Sequence, residues 1–368
     1  MSESSTESAP PSVLWDVARY VIIAVATGVL IWYYFFYTPV TYVSREHTGK
    51  TMGTDYVVKV AQFPENADWN EVADIIQSRL DALDQMMSTY RYDSEVCRFN
   101  DFSSTEDWFP VSQETVFVAQ TALEISQLSE GAFDITIAPL VRHWGFGANG
   151  NPRQNRSYEE LRAAAGFLKD QTGYEKLSVR LDPPALKKAI PELEIDFSGI
   201  AKGYAVDCIA ALLEGKKIMD YLIEVGGEVR SKGKRSKDKN WMVGIEKPVL
   251  KSQSEFLGLQ QAFPLQNQSL ATSGNYLQTR QIGDQHISHI IDPRSGVPVW
   301  IESGMGELAS AAVIAPTCTI ADAWATAMFV LGESKGTELA NQHGIAVLFL
   351  VRKGNEIVEI PSKHWNKP

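Results

Sequence analysis

Residues 317–332 read TCTIADAWATAMFVLG, the most informative segment of the chain. Between Ala321 and Leu331 the only polar side chains, apart from the Trp324 indole N–H, are those of Asp322 and Thr326. A helix that is apolar nearly all the way round is a buried one. Residues i and i+4 share a helix face, so the carboxylate and the hydroxyl point the same way. A buried carboxylate without a partner costs several kcal/mol, so something must compensate it. Two readings follow: backbone N–H groups or an arginine satisfy Asp322, or Asp322 and Thr326 hold a hard cation. Mg²⁺ fits the second, because it takes one or two carboxylates and fills its remaining positions with substrate phosphate.

Four further segments bear on chemistry. Residues 195–207, IDFSGIAKGYAVD, read as a short strand ending in Asp196 that passes through Ser198 and Gly199 into a helix carrying Lys202. Gly199 and Gly203 permit close backbone approach, and a helix N-terminus offers free N–H groups to an anion. The Walker spacing is absent, and an ordinary capped strand–turn–helix explains the segment equally well. Residues 131–147, GAFDITIAPLVRHWGFG, set Asp134 among small and aromatic residues. The Trp144-Gly-Phe-Gly run reads either as a loop able to wrap a planar ring or as an aromatic core turn. In SHIIDPRSGVPV, 288–299, His289 precedes a strand-like pair and an Asp-Pro turn; a lone histidine is more often structural than catalytic. ATSGNY, 271–276, is Gly/Ser-rich, and its backbone N–H groups could meet phosphate.

Around these, strand-like and helix-like segments alternate without a fixed period, which argues against a solenoid. TDYVVKVAQF alternates as a strand does, and WNEVADIIQSRLDALDQMMS spaces Val72, Ile75, Ile76, Leu80, Leu83 and Met87 as a helix does. VFVAQTALEISQLSEG predicts a second helix ended by Gly131, whereas YLIEVGGEVRSKG, WMVGIEKP and IAVLFLVRKGNEIVEI predict strands closed by Gly/Pro turns. NPRQNRSYEELRAAAG and KRSKDKN read as polar surface connections. No linker divides the chain after residue 50, so the expectation is one α+β catalytic body with mixed sheets and flanking helices.

The 368 residues carry 34 Lys+Arg against 45 Asp+Glu, a net charge of −11, which disfavours broad nucleic-acid binding. Cys97, Cys208 and Cys318 are too few and scattered for a disulfide framework or CxxC zinc site. They read as small buried hydrophobes, leaving oxygen ligands or His for any metal. The six histidines form no H-E-x-x-H, and G-x-S-x-G is absent, which disfavours a zinc protease or serine hydrolase. Residues 1–15 read as a disordered tail. No charge occurs from Tyr20 to Ser44, a run long enough to cross a bilayer core of roughly 30 Å. Trp32, Tyr33, Tyr34 and Tyr37 crowd its end as interfacial aromatics do. A buried core helix and a cleaved signal peptide compete; length and bulky flanks favour an uncleaved transmembrane anchor over residues 16–43. The positive-inside count, with Arg19 before the run and Arg45 and Lys50 after it, does not place the body outside the cell.

Taken together, MGTDY (52–56), STYRYDSEVCRFN (88–100), GAFDITIAPLVRHWGFG, DFSGIAKGYAVD, HIIDPRSGVP and IADAWATAMFVLG resemble the signature blocks of the ApbE family, the FAD:protein FMN transferases. The likeness spans about residues 50–360, and the domain it implies runs from 50 to 363. It implies FAD as substrate, Mg²⁺ as cofactor, and transfer of FMN onto a threonine hydroxyl of a target protein with release of AMP. By motif, Met52, Tyr90, Ala132, Phe133, Asp134, Asp196 and Lys202 fall on FAD-contacting positions. His289, in the H-x-x-D-P block, falls near the phosphates. Asp322 and Thr326 fall on metal ligands, and Gly199 on a contact that its backbone carbonyl must make. The resemblance gives Lys202 and metal-bearing Asp322 roles in charge stabilisation and makes His289 or a nearby Asp a candidate base. Many relatives carry a lipidated cysteine near the N-terminus; here a hydrophobic run stands instead. By analogy the body is expected in the periplasm, tethered to the bacterial inner membrane, with subunits of membrane redox complexes as targets. A flavin-binding electron carrier that keeps FAD intact and an assembly factor without transferase activity are the rival readings.

Overall fold

The alternation read in the strand segments resolves into one large sheet with a different core on each face. The computed structural model describes residues 13–36, 41–148, 156–248, 258–275, 279–300, 307–354 and 356–365. Its helices are α1 (Val13–Phe36), α2 (Trp69–Met87), α3 (Glu95–Asp101), α4 (Gln113–Leu128), α5 (Ala138–Trp144), α6 (Tyr158–Leu168), α7 (Ala201–Gly215) and α8 (Cys318–His343). Its strands are β1 (Tyr42–Thr51), β2 (Thr54–Pro64), β3 (Phe109–Pro110), β4 (Leu177–Arg180), β5 (Ala185–Lys188), β6 (Tyr221–Val225), β7 (Glu228–Lys232) and β8 (Trp241–Glu246). They continue as β9 (Leu259–Leu265), β10 (Gln268–Gly274), β11 (Thr279–Ile282), β12 (Gln285–Asp292), β13 (Val297–Trp300), β14 (Glu307–Ala315), β15 (Ala346–Lys353) and β16 (Glu356–Pro361).

The large sheet runs β1-β2-β6-β7-β10-β14-β15-β16, antiparallel from β2 to β16. Successive strand residues point to opposite faces. Val347, Phe349 and Val351 of β15 therefore join the core formed with α2, α4, α7 and α8. Leu348 and Leu350 join the second core, with Val243, Ile245, Phe263 and Leu265 of the β8–β9 hairpin. Smaller sheets β11-β12-β13 and β3-β5-β4 flank the body, and a third cluster joins α5 and α6 to β12. The α+β expectation holds.

Helix α8 confirms the opening segment: Asp322 is 2% exposed, and Ala321, Ala323, Ala325 and Ala327 are all buried. Gly332 (φ 77°, ψ 170°) breaks the helical geometry where the apolar segment ends. Several expectations are corrected. Residues 158–168 are not a surface connection but helix α6, burying Tyr158, Leu161 and Ala165 behind a Ser157/Glu160 capping box. Ile195–Asp196 is not a strand, because Ile195 exchanges both backbone bonds with the Asn100 side chain and Asp196 N–H donates to the Ile135 carbonyl. Residues 271–274 lie within β10, where the ladder with β14 engages their backbone, while Tyr276 is outside the described residues. Cys97 and Cys208 are only half-buried; Cys318 is buried. The body begins before residue 50, since β1 is already part of the large sheet.

The hydrophobic run is helical over Val13–Phe36 and belongs to a unit separate from the body, which comprises Ser44–Phe63 and Asp68–Pro368. Among the described residues no helix is long and apolar enough to cross a membrane. Of the expected tail, residues 1–12 lie outside the described residues and 13–15 already belong to α1.

Candidate functional site

The site is built where α7 meets α8 over the sheet. The two helices approach so closely at Gly203 that a Cβ there would lie 2.3 Å from the Cys318 carbonyl oxygen and 2.8 Å from Asp322 Cβ. Only glycine fits. Its N–H donates to Asp322 Oδ2 at 3.0 Å. Lys202, one residue earlier, brings Nζ to 3.8 Å from the same oxygen and 3.4 Å from Glu228 Oε1, and also donates to the Ser198 carbonyl at 3.3 Å. Thr326, one turn beyond Asp322, has its hydroxyl 3.1 Å from Ser273 Oγ. Gly199 is adjacent: a Cβ built there would meet Thr326 Oγ1 at 3.3 Å and Phe133 at 3.1 Å. The expected metal positions, Gly199, Asp322 and Thr326, are thus gathered around the N-terminal turn of α7.

The electrostatics follow from burying two acids beside one base. Burial raises the Asp322 carboxyl, against the pull of Lys202 and the Gly203 N–H. Burial also pushes Glu228, 4% exposed, up to about 8, opposed by Lys202 and reinforced by Asp322. Burial alone would lower the Lys202 ammonium, but Asp322 and Glu228 outweigh it and hold the group above its usual range. Two buried acids thus share one buried base, and burial first, then the Asp322 charge, makes the Glu228 carboxyl hard to ionise. Among the described residues, the buried Glu228 Oε2 has no hydrogen-bond partner.

A second group of residues lies beyond Ser198. Asp196 accepts from the Ser198 N–H at 2.8 Å and from the Ser198 hydroxyl. Its charge, after burial, raises the Tyr90 phenol. Tyr90 is exposed, and its hydroxyl donates to the Phe146 carbonyl at 3.2 Å. The Phe146 ring meets His289 edge-on with centroids 6.4 Å apart, and the Arg280 guanidinium lies over the same ring, 5.6 Å from its centroid. Of the Trp-Gly-Phe-Gly run, only Phe146 is available to a ring; Trp144 is wholly buried and donates to the Gly296 carbonyl. Met52 forms the β1–β2 turn with Gly53 at φ 47° and 74°, the left-handed pair that a two-residue hairpin demands. Holding a methionine there is strained, a feature that clusters at ligand sites.

Asp134 is different. Its Oδ1 accepts from the Thr136 N–H and hydroxyl, both at 2.7 Å, and its Oδ2 from the Tyr174 N–H at 2.8 Å. Burial pushes it up to about 6 despite those bonds. Its carboxylate therefore fastens the 172–174 loop, while the buried Ala132 and Phe133 beside it are held through the Ser129 carbonyl and hydroxyl. Two site residues went unread in the sequence, Glu228 and the Ser273 hydroxyl. Glu228 follows Gly226-Gly227 at the start of β7, and that double glycine was the available signal: a Cβ on Gly226 would crowd Thr54 at 2.8 Å and Lys202 at 3.2 Å.

Among the described residues no cluster of three or more His, Cys, Asp or Glu side chains suits a metal. The set offered is instead one carboxylate, a hydroxyl and a carbonyl, all hard oxygens, with both known contacts of Asp322 on Oδ2. That donor set fits Mg²⁺ completed by phosphate and does not fit a softer metal.

Fold and site together define an α/β body that gathers oxygen donors and one ammonium beside an aromatic-lined surface. A family model described as the ApbE family matches residues 52–349. The Escherichia coli (strain K12) protein named FAD:protein FMN transferase is 36% identical over 322 residues, 87% of this chain and 86% of its own length. A Vibrio cholerae protein of the same name is 37% identical over 318 residues, 86% of this chain and 90% of its own. The solved flavin transferase ApbE from Vibrio cholerae superposes with a TM-score of 0.75 at 35% identity, covering 89% of this chain and 99% of that one. The apo flavinyl transferase ApbE of Pseudomonas stutzeri gives 0.76 at 32% identity, covering 89% and 98%. The chain belongs to the ApbE family.

Proposed function

We propose that the chain transfers FMN from FAD to a threonine hydroxyl of a target protein and releases AMP, with Mg²⁺ held by Asp322, Thr326 and the Gly199 carbonyl. The observation that carries this is the buried Asp322 on α8, a turn from Thr326 and against Gly199. When bound, the cation supplies charge neutralisation at the pyrophosphate and at the leaving AMP. Lys202 adds a fixed positive charge where negative charge develops. Tyr90 and Met52 offer apolar surface to the flavin, and Asp196 beside Tyr90 offers an acceptor for its polar edge or ribityl chain. In the transfer, the threonine oxygen bonds to the FMN phosphorus as the bond to the AMP oxygen breaks. The hydroxyl proton passes to a base, for which His289 is the candidate nearest the aromatic group.

The apolar helix α1 supports attachment to a membrane. By likeness to its relatives, we place the body on the periplasmic side of a bacterial inner membrane, acting on subunits of membrane redox complexes. The test incubates the full chain in detergent with FAD, Mg²⁺ and a candidate acceptor subunit. An FMN-sized mass addition on an acceptor threonine, with AMP in solution, is expected. EDTA or Asp322→Ala should lower the rate about 100-fold or more. FAD retained intact without AMP release would overturn the transferase reading in favour of an electron carrier.

A further inference from the structure

The charged residues of β7 form a ladder with α7. Glu228, Arg230 and Lys232 alternate along the strand and so share the face toward the helices. Arg230 pairs with Asp207, whose carboxylate also accepts the N–H groups of Cys318 and Thr319 at the start of α8. Lys232 pairs with Glu214 at 2.9 Å. These two rungs, base on the strand and acid on the helix, already fix α7 against the sheet.

The third rung is inverted and loose. Glu228 faces Lys202 at 3.4 Å, its second oxygen is buried without a partner, and Lys202 has a rival acid in Asp322 at 3.8 Å. A rung serving only to fasten the helix would leave no such oxygen unsatisfied, because a half-satisfied buried acid is costly. Remove the Glu228 charge and Lys202 has one strong partner left among these acids, Asp322. The two would close into a neutral buried pair, and a cation would have to break that pair to use the carboxylate.

We propose that Glu228 is a positioning residue that holds the Lys202 ammonium off Asp322 and so keeps that carboxylate open to the divalent cation. This rests on the magnesium reading above.

The test measures Mn²⁺ uptake by the full chain, with and without FAD, from loss of the free-ion paramagnetic resonance signal. Glu228→Gln should weaken binding about tenfold or more, a shift of about 1.4 kcal/mol. Adding Lys202→Met, which removes the competitor, should return the affinity to within about threefold of the parent. Unchanged binding in Glu228→Gln overturns the proposal. So does a weakening that the second substitution fails to reverse, since a disturbed fold would not be repaired by losing Lys202. If the parent takes up no Mn²⁺ in either condition, the magnesium reading itself falls and this proposal falls with it.

Discussion

Asp134 shows how a single buried acid makes stability depend on pH. Its carboxyl, 7% exposed, sits near 6 rather than the usual 3.8 because burial outweighs three hydrogen bonds. A folded-state value above the unfolded one means that the native chain binds the extra proton. The stabilisation is complete below about pH 4 and is lost as pH rises through about 6. Two units correspond to on the order of 3 kcal/mol, an upper figure for a residue this enclosed. Asp134→Asn keeps an acceptor for Thr136 but has no proton to lose, and it turns a donor toward the Tyr174 N–H. Urea unfolding of both proteins at pH 4.5 and 7 should show the parent losing stability relative to the variant at the higher pH. A difference that stays constant between the two pH values would show that Asp134 does not titrate in this window.

At the scale of elements, the meeting of α7 and α8 rests on one absent side chain. Gly203→Ala would drive a methyl group into the Cys318 carbonyl, a backbone atom that cannot swing aside. The helices must separate, taking Asp322 from the Gly203 N–H. A loss of about 3 kcal/mol is expected from overpacking of this kind, read from chemical denaturation. A change below about 0.5 kcal/mol would mean that the helices shift freely and that their contact does not position Asp322. Helix α8 was legible in the sequence because Asp322 and Thr326 interrupt an otherwise apolar surface, and the main strands because they alternate. The same reading passed over α6, whose Ser157/Glu160 cap lay in a run judged by its polarity alone. Glu228 was not legible for a different reason. An acid in an alternating strand looks like the outer face of a sheet, and only the distant helices covering it reveal that it is buried. Ile195 and Asp196 read as the end of a strand because their backbone partners, the Asn100 side chain for Ile195 and the Ile135 carbonyl for Asp196, come from elsewhere in the chain.

For the whole molecule, the question is what holds a chain of net charge −11 at its place of work. Among the described residues, the body has three hydrophobic clusters of its own. Helix α1 contributes differently. Tyr20, Val21, Ile22, Ile23, Val25 and Val29 are all more than half exposed, an apolar surface that water does not favour. On the membrane attachment proposed above, burial of each such side chain in lipid would contribute roughly 1.5–3 kcal/mol, so several together would exceed what salt can reverse. The full chain is then expected to remain in the membrane fraction after a high-salt wash. Replacing Ile22 and Val25 together by aspartate should shift it to the soluble fraction, because each charge in the apolar part of a bilayer costs on the order of 3 kcal/mol. FMN transfer to an acceptor in detergent should survive that change, since none of the site residues lies on α1. Release of the parent by salt alone would reduce the helix to a peripheral contact, and loss of transfer in the soluble variant would mean that α1 also serves the catalytic body.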